Sequence, residues 1–238
     1  MRCLLFLIRR DSVKIQKGAI GTGFAYGINV TQMAKNVIVD SVKIDSIQIG
    51  VRFAQGCNGE IRRSLIQTCS KIGIEVYDAD VVIKENMLYR NQTGILIHRQ
   101  YTSLNTTNFV LKNTFYKNST GLRLSIARDF LIKGNVFNRN SRVGLSLNAR
   151  YSDKTRVVQY NNFLENQLHL SYNDGNKRDL LAINNWWNET DADSIAEKLW
   201  DQNDDPEKNK GRIVYIPFLQ EPVDTAGANS QWIITEEP

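Results

Sequence analysis

The sequence predicts an all-β solenoid: about eight stacked coils of three short strands each, closed at the C-terminal end by a helix-plus-strand cap. Three observations predict it. A Gly-apolar-x-apolar tetrad recurs as Gly27-Ile-Asn-Val, Gly50-Val-Arg-Phe, Gly73-Ile-Glu-Val, Gly94-Ile-Leu-Ile, Gly121-Leu-Arg-Leu and Gly144-Leu-Ser-Leu, and Gln167-Leu-His-Leu continues the series without its glycine. The offsets are 23, 23, 21, 27, 23 and 23 residues, a period that marks a stacked repeat. A second signature, Asn-x-Leu/Phe-x-x-Asn, keeps step at Asn86, Asn113, Asn135 and Asn161 and, more loosely, at Asn184. Third, a short apolar run separates each tetrad from the next asparagine, as in Val37-Ile-Val39, Val81-Val-Ile83, Phe109-Val-Leu111 and Phe130-Leu-Ile132.

Runs this short, bounded by turn residues, read as strands rather than helices. A unit of three short strands cannot bury its apolar side alone, whereas coil-on-coil stacking buries it on both sides. Strand alternation turns tetrad positions two and four inward. Aligning the asparagine signatures gives an inward column of Ala19, Val42, Leu65, Leu88, Phe115, Phe137, Phe163 and Trp186. The asparagines suit turns because Asn tolerates the left-handed conformation and its amide can bond the same residue one coil away. Counting 23 residues N-terminal from Gly27 reaches Leu4, so Leu5 and Leu7 read as the apolar pair of an incomplete first coil. An open solenoid end exposes apolar and backbone edges, so a missing domain or another subunit is expected to cover it.

The closing segment breaks the repeat. Thr190-Asp-Ala-Asp193 has the spacing of a capping box, and Ile195 and Leu199 share one face of a helix predicted over 192–200. Asn203-Asp-Asp-Pro206 stops it, and 212–219 reads as an extended strand. The expected organisation is therefore a β-helical body over 1–189, a cap over 190–222 and a polar tail or linker over 223–238.

With 238 residues, 42% of them apolar, the chain can fill one elongated core. Thirty basic against twenty-five acidic residues give a mild excess of +5, dispersed through turns rather than gathered in a stripe, so no nucleic-acid partner is expected. Cys3, Cys57 and Cys69 are odd in number and lack ligand spacing, which predicts buried thiols rather than a disulfide framework or zinc site. The apolar run 3–8 is too short for a signal peptide and ends at Arg9-Arg10, and no stretch is long enough to span a bilayer. No phosphate loop or Gly-x-Ser-x-Gly is present, and His98 and His169 fall three coils apart, about 14 Å, so no cofactor or metal site is expected.

The Asn-x-Phe-x-x-Asn and Gly-Ile-x-Leu pair, spanning roughly 4–189, resembles the right-handed parallel β-helix proteins with pectate-lyase-like coils. Asn185-Trp-Trp-Asn188 and the closing segment are similar to the C-terminal cap of secreted bacterial members. That family includes polysaccharide lyases, epimerases and glycosidases, and a periplasmic maturation protein of nitrous-oxide reductase. The resemblance implies a right-handed parallel β-helix in an extracellular or periplasmic setting; its motifs mark the fold and no one activity.

Insertions in a solenoid collect on one face, and here they fall at 98–107, 148–156 and 172–179. The tetrad strand beside them turns outward the columns Asn29, Arg52, Glu75, Leu96, Arg123, Ser146, His169 and Thr31, Ala54, Tyr77, His98, Ser125, Asn148, Ser171. Tyr77, Tyr101, Tyr151 and Tyr172, with Arg123, Arg150, Lys154 and Lys177, form a row of aromatic faces and cations suited to sugar rings, acidic ones above all. The competing account is that these tyrosines brace their own loops. Asp153 and Asp174, in loops of adjacent coils, are the candidate pair for hydrolysis, which needs carboxyl groups roughly 5–9.5 Å apart. For a lyase or epimerase the candidate base is His169, with the cations neutralising a uronate. The function expected is polysaccharide binding, with processing left open among lyase, epimerase and glycoside hydrolase. The alternative is a non-catalytic scaffold within a larger secreted or surface protein.

Overall fold

The structure is a computed structural model that describes residues 4–98, 108–126, 130–149, 156–174, 178–207 and 210–228. Among these, every strand pairs parallel with its counterpart one coil away, and the coils stack into three long sheets. The first sheet has nine strands, from Leu4–Ile8 through Leu168–Asp174 to Leu199–Trp200 of the cap. The second also has nine, ending at Ile213–Val214, and the third has seven, ending at Asn162–Leu164. Seven coils are therefore complete, and an eighth places Trp187 where its third strand would run.

The inward column of the third sheet is Ile20, Ile44, Ile66, Leu88, Phe115, Phe137, Phe163 and Trp187. The expected column is right from Leu88 to Phe163 and displaced by one or two residues at both ends. Phe115, Phe137, Phe163 and Trp187 stack face to face at 4.6, 4.9 and 4.5 Å, all fully buried. Each such ring contributes about 1.5–3 kcal/mol of burial and each contact about 0.5–1.5 more.

Two asparagine ladders bracket this sheet. In one, the Nδ2 groups of Asn86, Asn113, Asn135 and Asn161 donate to the next Oδ1, ending on Asn185, at 3.0–3.1 Å. In the other, Asn91, Asn118 and Asn140 do the same, ending on Asn166, at 2.8–3.2 Å. Each Oδ1 also accepts the backbone N–H of the preceding rung, for example Asn113 N to Asn135 Oδ1 at 2.8 Å. Buried turn amides are satisfied this way, which is why the signature carries an asparagine at both ends. The left-handed backbone belongs not to the ladder asparagine but to the residue before it: Glu85, Lys112, Tyr160, Arg90, Lys117 and Arg139 have φ of 57, 52, 55, 52, 53 and 52°.

The tetrad glycines mark the closest coil-to-coil approach. A Cβ on Gly50 would lie 2.4 Å from the carbonyl oxygen of Gly73, and it would point at Ile66 of the third-sheet column, inward rather than outward.

At the first coil, Leu4, Phe6 and Ile8 pair with Tyr26, Ile28 and Val30, so Phe6 and Ile8 take the inward positions expected for Leu5 and Leu7. Phe6 nonetheless stays 44% exposed, because no described coil lies above it. In the cap, the helix is a single turn and a half, Ala192–Ala196, and its N-cap is Asp191, which accepts from Ser194 N at 2.8 Å, rather than Thr190. Residues 223–228, expected as the start of a tail, run back along the solenoid: Val223 exchanges bonds with the Asn162 amide, and Gly227 N donates to Gly134 O at 2.8 Å.

Candidate functional site on the outer face of the first sheet

The register of the first sheet gives the outward columns directly. Asn29, Arg52, Glu75, Leu96, Arg123 and Ser146 are successive partners, as are Tyr77, His98, Ser125 and Asn148. Four of these residues, with Tyr26, form one constellation. Arg52 Nε lies 3.0 Å from Glu75 Oε2, and Glu75 Oε1 lies 3.1 Å from His98 Nε2. The His98 ring packs on Tyr77 at 4.8 Å between centroids, and the Arg52 guanidinium sits 5.6 Å from the Tyr26 ring. Arg123 stands two coils beyond Glu75, about 10 Å along the axis, exposed and without an ion-pair partner among the described residues.

The geometry has chemical consequences. The nearly buried Glu75 carboxylate holds His98 by Nε2, so Nδ1 is the remaining polar atom of the ring, and Tyr77 fixes the ring plane. Asn148 Oδ1, at the start of the expected 148–156 insertion, is buried with no hydrogen-bond partner among the described residues. No group of three or more His, Cys, Asp or Glu side chains that could hold a metal occurs among the described residues.

Of the residues expected at the site, Tyr77 and Arg123 lie on this face. His169 and Tyr172 do not. Leu170 pairs with Leu145, Ser171 with Ser146 and Tyr172 with Leu147, so the last tetrad begins two residues later than the 23-residue period places it. His169 thus occupies the glycine position, whose side chain points inward. It is 3% exposed, with its ring 6.0 Å from Phe163 and 6.2 Å from Trp187 and Nδ1 3.3 Å from Asn166 Nδ2. Burial first, and then nearby Lys198, pulls its pKa down to about 4. A base must reach substrate, and this ring reaches none. Tyr172 is fully buried, its hydroxyl donating to Arg178 O at 2.8 Å. Asp174 is the last residue of its strand, paired with Ala149, and its side chain is outside the description. Tyr101, Arg150, Tyr151, Asp153, Lys154 and Lys177 lie outside the described residues. The pairing of Glu75 with His98 was missed: both stand in the predicted columns, but 23 residues separate them.

A parallel solenoid with one polar, aromatic-bearing sheet face defines a β-helix repeat protein. The family model described as right handed beta helix region matches residues 26–187, and the chain belongs to that family. No curated protein and no solved structure matches it. No helix among the described residues is long and apolar enough to cross a membrane.

Proposed function

We propose that the outer face of the first sheet binds a polysaccharide, an acidic one in preference to a neutral one. The observation that carries this reading is the in-register run of Arg52, Glu75, Tyr77, His98 and Arg123 on one face. Tyr77 offers a ring for the apolar side of a sugar, and Arg123 offers an exposed guanidinium, in no ion pair among the described residues, to a uronate. Coils repeat about every 4.8 Å, so an extended chain laid along the axis meets equivalent positions in sequence. His98, oriented by Glu75, is the group on this face suited to moving a proton from a sugar carbon.

A glycan array, followed by titration with polygalacturonate, alginate and dextran, tests the reading. Binding of the acidic polymers should weaken roughly five- to tenfold in Arg123→Ala and in Tyr77→Ala. A wild-type protein that binds no glycan ends it. If bound polymer yields new reducing or unsaturated ends, and His98→Gln abolishes them, the face is catalytic; binding without product makes it a binding domain.

The second reading, a scaffold within a larger secreted or surface protein, draws on two features. Arg52 and His98 both lie within ion-pair distance of Glu75 without a ligand, and core-facing Phe6 is 44% exposed among the described residues, an apolar edge on which a partner could seat.

A further inference from the structure

A second concavity lies on a different edge of the solenoid, along the turn between the second and third sheets. One residue per coil adopts the left-handed conformation there: Arg63, Glu85, Lys112, Gly134, Tyr160 and Asn184, with φ of 49, 57, 52, 65, 55 and 55°. Every member but Gly134 carries a side chain, so the ridge has one gap. Lys112 and Tyr160 flank it two coils apart, about 10 Å. Lys84, Leu111 and Lys133, stacked in register at the end of the second sheet, form one wall. The returning segment, with Val223 and Thr225, forms the other and is held in place by Gly227 N on Gly134 O at 2.8 Å. The concavity, open to solvent, has a volume of about 500 Å³, within the range of small-molecule pockets.

The lining is mostly apolar: Leu111, Val223, the Tyr160 ring and the methylene stems of the lysines. Its polar atoms are chiefly cationic. Lys84 Nζ is committed to Glu60 at 3.1 Å, whereas Lys133 Nζ lies over the Tyr160 ring at 5.1 Å. Neither Lys112 nor Lys133 has an ion pair among the described residues, and Glu85 is the one carboxylate in the lining. An apolar slot with two ammonium groups at its rim, neither in an ion pair among the described residues, is complementary to one kind of molecule.

We propose that this slot binds a small amphipathic anion, its flat apolar body between the Lys112 stem and the Tyr160 ring and its anionic group on Lys112 and Lys133. The site is independent of the first-sheet face and makes no use of it.

The probe is 1-anilinonaphthalene-8-sulfonate, titrated by fluorescence into the full chain at low salt, with the neutral N-phenyl-1-naphthylamine as its uncharged counterpart. One saturable site per chain is expected, at least tenfold weaker in Gly134→Gln, which fills the gap, and in Lys133→Gln, which removes a cation. Gly134→Gln suits the backbone, since Glu85 and Lys112 hold the same conformation in neighbouring coils and an added Cβ meets only Lys112 Cγ, at 3.4 Å. Lys133 is an exposed surface residue, so that variant keeps the fold should Gly134→Gln lower the thermal midpoint. Unchanged affinity in both variants, equal affinity for the uncharged probe, or no saturable site overturns the proposal.

Discussion

Protonating His169 should destabilise the fold, and the size of the effect follows from its surroundings. The folded-state pKa is lowered from 6.5 to about 4, first by burial of the ring between Phe163 and Trp187 and second by Lys198. In the unfolded chain the ring titrates near its ordinary 6.5. Between those values the unfolded state binds a proton that the folded state refuses, so stability is whole above about pH 6.5, declines as pH falls and stops declining below about pH 4. A gap of about 2.5 units at 1.36 kcal/mol each gives roughly 3 kcal/mol. The cation would also set a ring N–H against the Asn166 amide donor 3.3 Å away. His169→Phe keeps an aromatic ring in the stack and removes the titration. Thermal melts of both proteins between pH 7.5 and 4 should diverge by about 6–12 °C, the wild type falling further. Parallel decline would mean that the ring is hydrated in the folded state, which would restore His169 to the list of groups able to meet a substrate.

Other expectations follow from the ladders and the core. Asn135→Ala leaves the buried Asn113 N–H without its acceptor and should cost about 3 kcal/mol in urea denaturation, against under about 0.5 for exposed Gln167→Ala. Phe137→Leu should cost about 1–2 kcal/mol, because Leu88 already fills the same column, whereas Phe137→Ala should cost about 3–5. Cys69, pushed up to about 12 by burial, and Cys57, also raised by burial, should resist iodoacetamide at pH 8 in the native protein and react in denaturant, as mapped by peptide mass spectrometry.

Repeat spacing carries most of this architecture, because like residues in register set both the ladders and the stacked core. From Gly27 to Gly144 the tetrads sit in register, and the outward columns from Asn29 to Ser146 and from Tyr77 to Asn148 are those that alternation predicts. Errors gather where the repeat loses its marker residue. Gln167 replaces glycine in a count of 23, and a slip of two leaves Leu170 facing inward either way, so alternation at that residue cannot detect it. The missed signal is local: Gly94 and Gly121 follow a ladder asparagine by three residues and Gly144 by four, which puts the glycine place after Asn166 at 169 or 170 rather than at 167. The same logic separates Asn185 from Asn184. Phe163 follows Asn161 by two residues, and Trp187 follows Asn185 by two, while Asn184, with φ of 55°, fills the left-handed place of Tyr160.

The glycine position also explains why the slip matters for function. At ordinary strand positions a displacement of two residues exchanges one outward residue for another, and a candidate site would merely move by a few ångströms. At the tetrad glycine the backbone approaches the next coil so closely that alternation fails and a side chain turns toward the third-sheet column. His169 is thereby taken out of the cleft, and the imidazole that remains on the face is His98, whose carboxylate partner stands one coil away. Glu75 and His98 become neighbours because the tetrads of Gly73 and Gly94 stand in register, which brings His98 opposite Tyr77 and one coil from Glu75. Glu75→Gln keeps the register and the ladders and removes only the carboxylate, so binding unchanged in that variant would show that the face suffices, and binding lost would show that it depends on the pair.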